Sequence, residues 1–168
     1  MSTALTTFAA ALAVSAVITA TPATAGSVGQ VAGYSIVKLD QAPPSVEHVQ
    51  PGPDRPGRTT YYEAELARSG KPYGQIHGSA VITDVTPDPS GLEELRLRTL
   101  VFDLPDGQVI AIGTSKYELL LVENVPALRT AATIAIVGGT GIYAAARGQV
   151  TTVRKTDGTY EHVLSILR

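Results

Sequence analysis

The chain has 168 residues, with no cysteine, no tryptophan and a single methionine at its start. Its 13 Lys and Arg nearly balance 15 Asp and Glu, which excludes a strongly basic nucleic-acid binder and an acidic disordered tail. The lack of cysteine excludes disulfide scaffolds, thiolate metal sites and thiol nucleophiles, while 16 glycines and 11 prolines suit one domain of many turns.

No charged side chain precedes Lys38. Leu5 to Ala20 is apolar or small, and Ala23-x-Ala25, just after Pro22, is the small-residue pattern a signal peptidase reads. Residues 1–25 are therefore expected to be a signal peptide and residues 26–168 a secreted, extracellular domain. An uncleaved membrane anchor is the alternative, because the uncharged stretch is nearly long enough to span.

From there the pattern is β. Gly33 to Asp40 carries Ile36, Val37 and Leu39 without helical period. Gln41 to Arg58 holds five prolines and reads as a long loop. Thr59 to Arg68 alternates, with Tyr62, Ala64 and Leu66 opposite Tyr61, Glu63 and Glu65. Tyr73 to Val85 sets Ile76, Ala80 and Ile82 against Gln75, His77, Ser79 and Thr83. Glu93 to Leu104 sets Glu94, Arg96 and Arg98 against Leu95, Leu97 and Val101. The charged row reads most simply as a solvated face with cross-strand pairs.

Asp106-Gly107 is a strong hairpin turn. Gln108 to Val122 follows, with a bend expected at Gly113, and then Leu128 to Val137. Gly138-Gly139-Thr140-Gly141 interrupts, Ile142 to Lys155 resumes, Asp157-Gly158 turns, and Thr159 to Leu167 closes the chain. The fold expected is all-β: eight antiparallel strands in an up-and-down β-barrel, with a sandwich as the alternative. An eight-stranded barrel has room for its own side chains or one small ligand.

Gly139-x-Gly141-x-x-Ala144 formally matches a dinucleotide fingerprint, but the β-branched run after Gly148 denies it the helix that chemistry needs. No nucleotide, cofactor or nucleic acid is expected, and the glycines read as a tight turn. His48, His77 and His162 show no ligand spacing, so no metal site is expected. His162 alternates with Tyr160, Leu164 and Ile166 and reads as a hydrogen-bonded core histidine or a pocket residue. Glu65, Tyr117, Tyr143, Tyr62 and Arg147 are further polar candidates that would do chemistry only if they face inward.

The run Ile134-Ala135-Ile136-Val137-Gly138-Gly139-Thr140-Gly141-Ile142-Tyr143, continuing to Ala146-Arg147-Gly148-Gln149-Val150, resembles the allene oxide cyclase and dirigent superfamily. Gly74-Gln75-Ile76-His77-Gly78 is similar to a dirigent strand. The resemblance implies an eight-stranded barrel, commonly a homo-oligomer (trimer or dimer), with an apolar pocket at one end. It implies an isomerase or cyclase that confines a hydrophobic small molecule so that one ring closure or stereochemistry wins, with little covalent chemistry asked of the protein. Carried over to this chain, it makes Asp40 a base or water holder and Arg147 an oxyanion stabiliser. Glu65 joins them as a catalytic candidate, with Tyr117, Tyr143, Tyr62 and His162 as substrate-binding residues. Two other classes stay open: a non-catalytic lipid or metabolite binder, and a structural extracellular barrel with a filled interior. An open cavity with converging Asp, Glu, Arg or Tyr groups favours the cyclase, a wholly apolar cavity the binder, and no cavity the structural barrel.

Overall fold

The computed structural model describes residues 33–88, 91–120, 125–127 and 131–167. The expected signal peptide lies outside them. Ten strands follow one another: β1 Tyr34–Gln41, β2 Val46–Val49, β3 Thr59–Arg68, β4 Lys71–Asp88, β5 Gly91–Leu104, β6 Gly107–Leu120, β7 Val125–Ala127, β8 Ala132–Gly139, β9 Gly148–Arg154 and β10 Tyr160–Leu167. Eight of them form the ring, in the order β1-β10-β9-β8-β6-β5-β4-β3. A short antiparallel pairing of Asp40 with Ala67 and Gln41 with Leu66 closes β1 on β3. The result is an antiparallel up-and-down barrel, as expected, in which the short strands β2 and β7 pair with further stretches of β3 and β6 beyond those taken by β1 and β8.

Boundaries differ from the expectation at three places. The proline-rich loop contains β2, which escapes the prolines by fitting between Pro44 and Pro51. The strand expected from Leu128 is described from Ala132, with residues 128–130 lying outside the described residues. The strand expected from Ile142 begins at Gly148, because Gly141–Tyr143 forms one 3₁₀ turn. Gly141 takes a left-handed φ of 58°, and the turn is held by Tyr143 N–H to the Thr140 carbonyl at 3.0 Å and Ala144 N–H to the Gly141 carbonyl at 3.2 Å. A side chain at Gly141 would run into the Asp106 carbonyl, and one at Gly107 into the Thr140 carbonyl. The two turns therefore touch backbone to backbone and cap one end of the barrel.

Strand alternation fills that capped half with apolar side chains. Val37 and Leu39 of β1, Leu66 of β3, Ile76 of β4, Leu100, Phe102 and Leu104 of β5, and Val109 of β6 point inward with Ile136, Val150, Leu164 and Ile166. Burying one such side chain is worth roughly 1.5–3 kcal/mol, so this half supplies the driving force. The interior changes character toward the other end. On β5 the inward row continues from Leu100 back to Arg98, Arg96 and Glu94, all three buried, at 3%, 8% and 1% exposure. The charged row expected to be solvated thus faces inward, while Leu97, its neighbour on the opposite face, is exposed on the outer wall.

Candidate functional site

The polar half of the barrel encloses a cavity of about 220 Å³. Three arginines and three tyrosines converge on it: Arg96 and Arg98 from β5, Arg154 from the end of β9, Tyr62 from β3, Tyr117 from β6 and Tyr160 from β10. Gln41 and Thr60 complete the wall and Ala80 leaves it hollow, while Pro44 and Glu47 stand at the rim. Tyr62 finds its place because Gly78, its cross-strand partner, has no side chain; a Cβ there would collide with the phenol ring.

The charges are arranged unequally. Glu94 Oε2 accepts hydrogen bonds from Arg96 Nε at 2.6 Å and Nη2 at 2.5 Å, and the Arg96 guanidinium lies 4.6 Å over the Tyr117 ring. This buried ion pair holds Arg96 against the cavity wall. The second Glu94 oxygen, Oε1, is buried without a hydrogen-bond partner among the described residues. Arg98 has neutral company. Its Nη1 reaches the Ser115 hydroxyl at 3.5 Å, the Tyr117 ring lies 5.9 Å away, and the Tyr62 hydroxyl is beside it.

Burial pushes the Tyr62 phenol above its ordinary pKa, with Arg98 opposing; burial does the same to Tyr160, with Arg154 and Arg98 opposing. Burial also works against the Arg98 charge, but the surrounding tyrosines outweigh it and the net shift is upward. Arg98 is therefore a fixed cation at neutral pH, with Tyr62 and Tyr160 as phenolic donors beside it, an arrangement that suits the stabilisation of negative charge on a bound oxygen.

Among the residues expected from sequence, Tyr62 and Tyr117 line this cavity. His162 lies behind it, fully buried. Its Nε2 meets Gln41 Oε1 at 2.8 Å and its Nδ1 meets the Thr152 hydroxyl at 3.0 Å, with Phe102 edge-on at 5.2 Å. Burial, with Arg98 nearby, lowers its pKa to about 3, so the ring is neutral and positions Gln41. The structure does not bring the others together. Asp40 sits on the outer wall, paired with Lys155, because β1 turns Leu39 and Gln41 inward. Glu65 is exposed, where Gln75 Nε2 donates to it at 2.8 Å, and borders a shallow outer hollow with Tyr73 and Asp103. Arg147 is exposed and spends its guanidinium on the Val137 and Ala146 carbonyls, at 2.7 and 2.8 Å. Tyr143 belongs to the 3₁₀ turn at the capped end, packed against the apolar core; burial and the neighbouring Tyr73 raise its pKa. It does not share a strand face with Arg147.

The cavity thus adds three arginines to the aromatic and apolar lining expected of the pocket. Arg96 and Arg98, expected on a solvated face, lie here instead, together with Arg154 and Tyr160, which the sequence did not single out. The signal was present on β5, where Glu94, Arg96 and Arg98 have the same parity as Leu100, Phe102 and Leu104. Among the described residues no three His, Asp or Glu side chains converge as a metal would need.

No family model and no curated protein matches the sequence. Solved structures do match its fold. Pyocyanin demethylase aligns over 79% of this chain and 99% of its own, with a TM-score of 0.62 and 24% identity. AbnU, an exo-specific intermolecular Diels-Alderase, aligns over 80% of this chain and 98% of its own, with a TM-score of 0.56 and 19% identity. The Diels-Alderase AbmU from Streptomyces koyangensis aligns over 83% of this chain and 71% of its own, with a TM-score of 0.56 and 13% identity. At these identities the likeness is one of fold: this chain shares its barrel with a demethylase and two Diels-Alderases.

Proposed function

We propose that the protein is a cofactor-independent isomerase or cyclase, which holds a small conjugated molecule in the cavity and steers its ring closure or stereochemistry. The observation that carries this reading is the convergence of Arg96, Arg98 and Arg154 with Tyr62, Tyr117 and Tyr160 on a hollow inside a barrel whose other half is packed with apolar side chains. The Diels-Alderases among the structures of similar fold support it, as does the resemblance of the Ile134 to Val150 run to allene oxide cyclases and dirigents.

The chemistry follows from what the side chains can do. Tyrosine rings on the cavity wall pack against a planar substrate and restrict it to a reactive conformer, which removes much of the entropic part of the barrier. Guanidinium and phenol donors fixed in a buried wall stabilise an oxygen that gains negative charge as bonds rearrange, without reorganising at the moment of reaction. Arg96 is well placed for this, since Glu94 holds its Nε and Nη2 and leaves the remaining guanidinium edge to the cavity. The reading includes export, with removal of residues 1–25, and association of copies through the outer wall, where Leu97, Ile112 and Val137 are exposed.

A mass-neutral reaction tests it. Small-molecule extracts of the native source are incubated with the protein and followed by chromatography coupled to mass spectrometry. The reading expects a product with the elemental formula of the compound consumed but a different retention time, formed at least tenfold more slowly by Arg96→Met. Extracts unchanged by the wild-type protein, or a product whose formula differs from that of its precursor, contradict it.

A further inference from the structure

Arg96 and Arg98 both line the cavity, but only Arg96 is neutralised by the protein. Glu94 gives its Oε2 to Arg96, and among the described residues no carboxylate forms an ion pair with Arg98. A guanidinium 3% exposed has given up nearly all of its water. Hydroxyls and an aromatic face compensate it only in part. Arg98 also occupies a special level of the barrel: the next inward side chain on β5 is Leu100, the first of the apolar half. The unmatched charge therefore stands at the floor of the hollow, with Tyr62 and Tyr117 beside it. At about 220 Å³ the space falls below the roughly 300–1,000 Å³ typical of drug-sized sites.

We propose that the cavity takes a small, planar, conjugated mono-anion, a carboxylate or enolate on one or two rings, whose charged group supplies the counter-ion that Arg98 lacks and whose ring system packs against the tyrosines. This rests on the functional reading above and gives it a substrate class. The anion end is anchored at the floor, and the reacting part of the molecule lies under Arg96 toward the rim. A bidentate fit of carboxylate to guanidinium fixes the orientation as well as the affinity. The buried location distinguishes this anchor from an exposed arginine, because salt does not screen it.

The test uses three probes of one shape and different charge: naphthoate, its neutral isostere naphthamide, and naphthylmethylammonium. Their binding to the full chain near pH 7 is measured by isothermal titration calorimetry. The proposal expects naphthoate to bind at least tenfold more tightly than naphthamide, the cation to bind more weakly than either, and the naphthoate preference to persist in about 1 M sodium chloride. Arg98→Met, checked for wild-type far-ultraviolet circular dichroism, loses the preference, and Arg98→Lys keeps part of it. Should neither variant fold, the ranking of the three probes on the wild-type protein decides alone. Equal binding of naphthoate and naphthamide overturns the substrate class and leaves the cavity as a neutral-ligand site. A naphthoate preference that vanishes at high salt or survives Arg98→Met places the anion on the surface and overturns the anchor. No binding of any probe overturns both this inference and the reading it rests on.

Discussion

His162 makes a prediction that can be worked through to a slope. Its ring is fully buried among Gln41, Thr152, Phe102 and Arg98. Its pKa falls from an ordinary 6.5 to about 3, first through burial and then through Arg98. The unfolded chain therefore takes up a proton at this residue below pH 6.5, and the folded chain does not until near pH 3. The stabilisation is full above pH 6.5 and is lost as pH falls through that window, at up to about 1.4 kcal/mol per pH unit. Between pH 6.5 and 4.5 the loss is roughly 2–3 kcal/mol. His162→Gln removes the titration while keeping a polar side chain between Gln41 and Thr152. The variant is less stable at neutral pH by about 1–3 kcal/mol, but its stability falls less steeply on acidification. Urea unfolding followed by circular dichroism at several pH values measures both curves. The two proteins differ only at position 162, so the difference between the curves isolates that side chain. Parallel curves would refute the argument, since they would mean that His162 takes up its proton as readily in the folded chain as in the unfolded one.

The capped end and the buried ion pair give further expectations. Gly139→Ala and Gly141→Ala, whose new methyl groups would meet the Gln108 and Asp106 carbonyls, lower stability by about 1–3 kcal/mol. Gly138→Ala, where the nearest atom is Arg147 Nη1 at 3.9 Å, changes it by less than about 1 kcal/mol; equal losses at all three in thermal melts would show that the turns do not pack as described. Glu94→Leu strands the Arg96 cation and costs about 3–5 kcal/mol, whereas the double variant Glu94→Leu, Arg96→Met costs less than the single one; a double variant as destabilised as the sum of its parts would deny the pairing. For export, Edman sequencing of the secreted protein begins at Gly26, and a sequence beginning at Ser2 contradicts cleavage after Ala25.

Much of the barrel is legible in the residues, and the reasons are local. Tyr62, Ala64 and Leu66 alternate against Glu63 and Glu65 and do face the interior, and Asp106-Gly107 and Asp157-Gly158 turn the chain as their side-chain chemistry demands. What escaped has physical causes. On β5 both faces carry some apolar residues near the start of the strand, so a short window cannot say whether Arg96 or Leu97 points in. The choice is made further on, where Leu100, Phe102 and Leu104 must be buried and carry the arginines in with them. Resemblance placed Asp40 and Arg147 in the site, but side-chain parity governs β1 and turns Asp40 out beside Lys155. A close backbone approach at Gly139 and Gly141, rather than a strand, leaves Arg147 at the capped end. The hollow itself could not be read, because it depends on small residues such as Ala80 and Gly78 meeting large ones from strands far apart in sequence.

The central claim is that the polar half of the barrel is a ligand site, and occupancy of that space tests it most directly. Native mass spectrometry is run on the protein purified from its native source, beside an Ala80→Phe variant whose new ring fills the hollow and whose circular dichroism matches the wild type. The account predicts one small-molecule adduct per chain on the wild type and none on the variant. A bare wild-type chain, or an adduct carried equally by both proteins, would contradict it.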